Sequence, residues 1–302
     1  MQAEKSQTLL PEKVIGYKSQ MMEFPINSKD TIIYALAIGF NEDQMNKDHF
    51  KFTYELNDDF GVFPTYVSVI PINSLADLLG SCPGIPEFNL MSLLHGEEWV
   101  EILKPIPTSG TLLYQSEIAD LEDKGKGTVI CIQVRIYNKE DKSLLAIVTS
   151  NLFVRGLKGN GVKSRGPLKA AIPKTPKSEP FKSVTFKTYP NQALYYRIGG
   201  NDANPLHVDP DMAAMGGFDK PILHGLCTFG MAGKAAYELF CEGDKDSFTI
   251  FKARMTSHVI PGESLTFRFW KGEGNTLIVS VKNVERGTEV MVGEIKLKNA
   301  KF

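Results

Sequence analysis

Asp202, Asn204 and His207 stand within six positions of one another in NDANPLHVDPDMAAMGGFDKPILHG, residues 201 to 225, and His224 and Gly225 close the same stretch. Asn, Asp, Pro and Gly form turns, so this is not the interior of a helix or strand. A polar cluster on a turn is either a capped loop or a site. As a loop, Asp202 is an Asx-turn residue and His207 an ordinary hydrogen-bonded histidine. As a site, the same residues form an acid–base set. An imidazole titrates near neutrality and serves as a base. A carboxyl in an apolar pocket has a raised pKa and can hold or give a proton. The Asn204 carboxamide is both donor and acceptor and can fix a water or a ring nitrogen. Gly225 sits where a helix is predicted to begin, with free N–H groups, a favourable dipole and no side chain to keep an anionic oxygen away.

The elements around this turn can be read from periodicity. Leu223 to Leu239 has helical length and spacing, with Leu226, Phe229, Ala232 and Ala236 near the helix period. It is rich in Gly and Ala, and each glycine lowers helix propensity by about 1 kcal/mol relative to alanine. Such a helix needs close burial, which a sheet wrapped around it would provide. Strands are predicted at Phe248–His258, Ser264–Trp270, Thr276–Val284 and Glu289–Lys298, where apolar and polar residues alternate. The first half repeats the pattern in GTLLYQSEIADLED, GTVICIQVRIYN and SLLAIVTSNLFVRG. Gly39, Asn41, Pro64 and Pro107 match Gly199, Asn201, Pro221 and Pro261 at similar spacing, which indicates an internal duplication. One long buried helix followed by strands, twice, is an α+β arrangement.

Residues 156–180 (GLKGNGVKSRGPLKAAIPKTPKSEP) lack apolar periodicity and read as a solvated, mobile linker between segments 1–155 and 181–302. Their Lys158, Lys163, Arg165 and Lys169 could also attract a phosphorylated ligand. The whole chain has 302 residues and a formal net charge of −1, so bulk charge makes no case for nucleic acid or an anionic membrane. Cys82, Cys131, Cys227 and Cys241 form no Cys-x-x-Cys pair and fit a reducing compartment better than a disulfide framework. No signal peptide and no transmembrane run are expected. The final Ala300-Lys301-Phe302 has the small–basic–apolar order of the Ser-Lys-Leu peroxisomal address, with Phe in place of Leu.

Asp202-x-Asn204-x-x-His207 followed by GFDKPILHG resembles the motif of the R-specific 2-enoyl-CoA hydratases, the hydratase 2 enzymes of the MaoC-like group. The resemblance implies two tandem hot-dog folds, each an antiparallel sheet around a long central helix, with only the second repeat (181–302) carrying the motif. It implies reversible hydration of trans-2-enoyl-CoA to (3R)-3-hydroxyacyl-CoA in β-oxidation, and a peroxisomal location. On the family's pattern Asp202, Asn204 and His207 surround the reacting water, and the Gly225 N–H binds the thioester oxygen. Pro221, His224 and Gly225 make up the substrate-binding set, although for His224 a structural role behind the turn is the favoured reading. No cofactor is implied. A His207, His224 and Asp209 metal cluster does not have the spacing of a zinc motif, so no metal is expected. Which of Asp202 and His207 gives which proton is left open.

In the first half NEDQMNKDHF replaces NDANPLH, with its acidic residues displaced and no His at the matching step. That half is expected to supply room for the acyl chain, with LADLLGSCPGIPEFNLMSLL as a mobile apolar wall. His49 and His95 have no partner pattern and are assigned nothing, and His258 is read as structural. The duplicated halves should pair edge to edge, and two chains are expected to form a homodimer. Competing readings are a dehydratase acting on acyl carrier protein, a non-catalytic acyl-CoA-binding module and a hot-dog thioesterase. The intact Asp202, Asn204, His207 and Gly225 favour the hydratase.

Overall fold

The computed structural model describes residues 8–300 and 302, so Lys301 of the terminal tripeptide lies outside the described residues. Among the described residues ten strands form one antiparallel sheet: β1 (Met22–Ile26), β2 (Leu93–Ile102), β3 (Gly110–Asp123), β4 (Gly127–Asn138), β5 (Leu144–Arg155), β6 (Lys182–Lys187), β7 (Phe248–Met255), β8 (Ser264–Lys271), β9 (Thr276–Asn283) and β10 (Glu289–Leu297). Their spatial order is β1-β3-β4-β5-β2-β7-β10-β9-β8-β6. Read outward from the β2–β7 seam, the two halves have the same order, each starting on its own second strand and ending on its own first. The duplication is therefore a structural one, and the halves meet edge to edge as expected. Asn41 and Asn201 add a local mark of it, since both adopt left-handed backbone (φ 64° and 50°) at matching turns.

Among the described residues seven α-helices accompany the sheet: α1 (Pro11–Val14), α2 (Ser28–Ala37), α3 (Phe50–Thr53), α4 (Ser74–Ser81), α5 (Gln192–Gly199), α6 (Pro210–Met215) and α7 (Gly225–Phe240). α7 is the buried helix predicted at Leu223 to Leu239. Its Phe229 stacks on Phe251 of β7 with ring centroids 3.8 Å apart. A side chain at Gly230 would meet Ile38 at 2.6 Å, so this glycine admits the end of α2 against the helix.

The first half departs from the expected long central helix. A 3₁₀ turn at Pro64–Val69 and the short α4 stand in its place. Ile70 is still in helical backbone, and Pro71 after it has no N–H to continue the hydrogen-bond ladder. The stretch expected to form an apolar wall is packed over its first part: Leu75, Leu78, Leu79, Cys82 and Ile85 are all buried in the common core, while Leu90 and Leu94 are exposed where it runs into β2.

The 156–180 segment differs from the solvated, mobile linker read from its composition. It is bound across the outside of the sheet. Asp120 accepts from Ser164 Oγ at 2.6 Å and from the amides of Arg165, Gly166 and Leu168. Further along, Lys252 donates to the Ala171 carbonyl and Trp270 to that of Ser178. Burial works against the Asp120 charge, but the Ser164 hydroxyl and the surrounding amides outweigh it and hold the carboxyl below its ordinary range. A depressed native pKa contributes stability above the unfolded value, near pH 4, that is lost as pH falls through the native value. Asp120→Asn should therefore cost about 2 kcal/mol in urea denaturation at pH 7, and the difference from wild type should shrink below about pH 4.

Candidate active site

The turn after α5 carries the sequence cluster. Asn201 reverses the chain in left-handed backbone, and Asp202 is carried inward. A 3₁₀ turn at Pro205–His207 then returns His207 beside it. Asp202 and His207 are 4% and 7% exposed, so both act in a largely dry environment. Asp202 Oδ1 accepts the Asn204 amide at 3.0 Å. Oδ2 has no hydrogen-bond partner among the described residues. It lies 3.9 Å from His207 Nε2, too far for a direct hydrogen bond and close enough for one oxygen atom to contact both.

The His207 ring is oriented from behind. Its Nδ1 lies 2.8 Å from the Ile222 carbonyl oxygen, which can only accept, so Nδ1 carries a proton. In the neutral ring Nε2 is therefore the lone-pair nitrogen, directed at Asp202. Burial raises the Asp202 carboxyl above its ordinary range, against the lowering effects of His207, the Asn204 amide and Arg197. A carboxyl whose charge is disfavoured by burial thus faces the lone-pair nitrogen of an imidazole.

His224 is the N-cap of α7. Its Nδ1 accepts the Leu226 amide at 3.0 Å, which places its ring proton on Nε2. Burial, then the neighbouring His207 and His95, push it well below the usual histidine range, so it is neutral. Its ring centroid is 4.8 Å from that of His207 and 5.7 Å from that of Tyr196. Next in the chain, the Gly225 N–H has no partner among the described residues, while the Leu226 and Cys227 amides are taken up by His224. A free amide at the first residue of a 16-residue helix is a donor suited to a developing oxyanion. A Cβ at Gly225 would lie 2.7 Å from Met255 Cγ, so packing as well as ligand approach excludes a side chain there.

The other expected residues fall less centrally. Asn204 is exposed, and its Oδ1 caps the 205–207 turn through the Leu206 amide. It ties Asp202 to His207 and does not present its side-chain oxygen to the space between them. Pro221 is half-buried and precedes the Ile222 carbonyl that orients His207. Asp209 caps α6 through the Asp211 and Met212 amides and is not a partner of the two histidines. Asp202, His207 and His224 each offer one atom within 4.8 Å of the others. His224 does not fit as a metal ligand, because Nδ1 is occupied by Leu226 and Nε2 carries the proton. His258 has its carbonyl and ring against Arg286, away from the Asp202–His207 pair.

The first-half relic is better preserved than its sequence suggests. A 3₁₀ turn at Lys47–His49, capped by Asn46, matches the turn at Pro205–His207 capped by Asn204. Gln44-x-Asn46-x-x-His49 thus corresponds to Asp202-x-Asn204-x-x-His207, with two extra residues after Asn41. The reading that no His falls at the matching step is corrected: the Asn and His persist, and the carboxyl is what has gone. His49 now bonds Glu238 of α7 at 2.8 Å, and Lys234 bonds the same carboxylate. Two concave regions lie elsewhere, a groove of about 450 Å³ between α2 and α5 and one of about 260 Å³ beside Phe60 and Ile106. Neither is lined by Asp202, His207 or His224, so the buried acid–base cluster defines the site, not the size of a cavity.

Residues 24–156 match the family described as the MFE-2 hydratase 2 N-terminal domain, and residues 169–294 match the MaoC like domain. A Dictyostelium discoideum protein named probable enoyl-CoA hydratase 2 is 36% identical across 93% of this chain and 93% of its own. The chain belongs to the MaoC-like hydratase 2 family. A peroxisomal enoyl-CoA hydratase 2 of Arabidopsis thaliana, another similar protein, is 34% identical across 94% of both chains. The crystal structure of a MaoC-like dehydratase from Phytophthora capsici superimposes with a TM-score of 0.86 at 33% identity, over 96% of this chain and 98% of that one. Both repeats are thus accounted for, and the MaoC-like match is the one that contains Asp202, His207 and Gly225.

Proposed function

We propose that this protein catalyses the reversible hydration of trans-2-enoyl-CoA to (3R)-3-hydroxyacyl-CoA in fatty-acid β-oxidation. The observation that carries the reading is the opposition of Asp202 Oδ2, raised in pKa and without a partner, to the lone-pair nitrogen of His207 at 3.9 Å. In the hydration direction His207 Nε2 takes a proton from water as its oxygen bonds to C3. Asp202 gives its proton to C2. The Gly225 amide holds the thioester oxygen while negative charge resides there. The proton on His207 then returns to Asp202, and the pair is ready again. Dehydration runs the same steps backwards. Asn204 serves by fixing the turn, and His224 by presenting Gly225.

Neither a metal nor a cofactor is required, because two proton transfers and one oxyanion donor complete the atom balance. The family, the similarity to hydratase 2 proteins of D. discoideum and A. thaliana, and the acid–base geometry together support the reading. The name of the A. thaliana relative supports a peroxisomal location, with Ala300-Lys301-Phe302 proposed as the address. A homodimer is proposed on the same analogy. Among the described residues no helix is long and apolar enough to cross a membrane.

The mechanism predicts that kcat/KM for hydration falls on the alkaline side as Asp202 loses its proton. Burial raises the Asp202 carboxyl, so this limb should lie above the ordinary carboxylate range. Stopped-flow rates across pH check this. Comparing trans-2-decenoyl-CoA with the same acyl group on acyl carrier protein tests the substrate class. Turnover of the carrier-protein thioester alone would favour the fatty-acid-synthesis dehydratase.

A further inference from the structure

β2 belongs to the N-terminal half, yet it brings two titratable side chains to the site. In a regular strand residues three apart face opposite sides. The register of β2 shifts between His95 and Glu97, and the extra residue turns His95 and Glu98 to the same inner face. His95 Nε2 lies 3.0 Å from Glu98 Oε2, and the same oxygen accepts from Ser150 Oγ at 2.7 Å. Glu98 is 1% exposed, and its Oε1 has no partner among the described residues. The His95 ring meets the His224 ring edge-on, with centroids 6.1 Å apart. A row of rings thus runs from Glu98 and His95 through His224 to His207 and Asp202.

We propose that Glu98 and His95 are a positioning pair through which the N-terminal half sets the His224 ring, and with it the start of α7, for reaction at Asp202 and His207. The inference rests on the hydration reading above. Burying a carboxylate and an imidazole in a sheet is a poor way to gain stability, since apolar residues of similar volume usually do at least as well. A pair placed one ring away from the base has a different use. Glu98 fixes the proton of His95 on Nε2 and leaves Nδ1 as the acceptor nitrogen. His224 carries its own proton on Nε2. The His95 ring packs edge-on against it and so constrains the orientation in which His224 caps α7 and presents the Gly225 amide. His224 is faced by His95 from β2, His207 from the catalytic turn and Tyr196 from α5. Glu98 is faced by Ser150 from β5, and its charge also reaches Tyr34 of α2 and Tyr196.

The test uses full-length wild type, Glu98→Gln, His95→Gln and Ser150→Ala. Kinetics with trans-2-decenoyl-CoA across pH are paired with ¹⁵N imidazole spectra, which five histidines make assignable. Both Gln variants should lower kcat about tenfold with little change in KM. They should shift the pH limbs of kcat and move the His224 ring signals. Ser150→Ala should change the same quantities in the same direction by less. Folded Gln variants with wild-type kcat, pH profile and His224 signals would overturn the proposal. If neither folds, Ser150→Ala decides it by the same readouts. Wild type without hydratase activity would remove the hydration reading itself, while the His224 signals still report whether His95 and Glu98 govern that ring.

Discussion

Asp202→Asn should lower kcat/KM for enoyl-CoA hydration roughly 10³–10⁴-fold without measurable loss of stability. The side-chain amide keeps the oxygen that accepts the Asn204 amide, so the turn retains its bond. What disappears is a carboxyl able to carry a proton at Oδ2, the atom opposite His207. KM should change little, because Asp202 acts on the reacting carbon and does not hold the thioester. Circular dichroism and thermal melts beside the kinetics separate a chemical loss from a folding loss. A variant with near-native turnover would mean that C2 receives its proton from another group.

His207→Gln should cost roughly 10²–10³-fold in kcat. Glutamine can still donate to the Ile222 carbonyl, so the loop before α7 keeps its anchor, but it offers no nitrogen of suitable basicity toward the water. The double variant Asp202→Asn/His207→Gln should be no slower than Asp202→Asn alone, because the two groups act in one step and their losses do not add. Additive losses would indicate two independent roles.

The long alternating strands were legible because burial on one face imposes a two-residue period. β3 and β4 match GTLLYQSEIADLED and GTVICIQVRIYN residue for residue. β1, β2 and β6 were not legible. β1 and β6 are short edge strands, and β1 contains Pro25, which an edge tolerates. β2 hides its alternation behind the bulge between His95 and Glu97. That same bulge concealed His95 and Glu98, since their spacing of three suggests opposite faces. The first-half relic was missed for a related reason. Two residues inserted after Asn41 move Asn46 and His49 out of step with Asn204 and His207, and only the capped 3₁₀ turns align them. The binding of the 156–180 segment was invisible because its main anchor, Asp120, lies in a strand of the first half.

Asp202, His207 and Gly225 could be named from sequence because a turn, a cap and a helix start lie within one continuous stretch. Their electrostatics needed the fold. The proton on His207 Nδ1 depends on the Ile222 carbonyl, and the raised Asp202 carboxyl depends on burial.

The most direct test of the central claim is ultraviolet absorbance of the purified protein with trans-2-decenoyl-CoA, followed by chiral analysis of the product. The enoyl-thioester band should decay, and the product should be (3R)-3-hydroxydecanoyl-CoA alone. A band that persists with folded protein, or a product of (3S) configuration, would contradict the account.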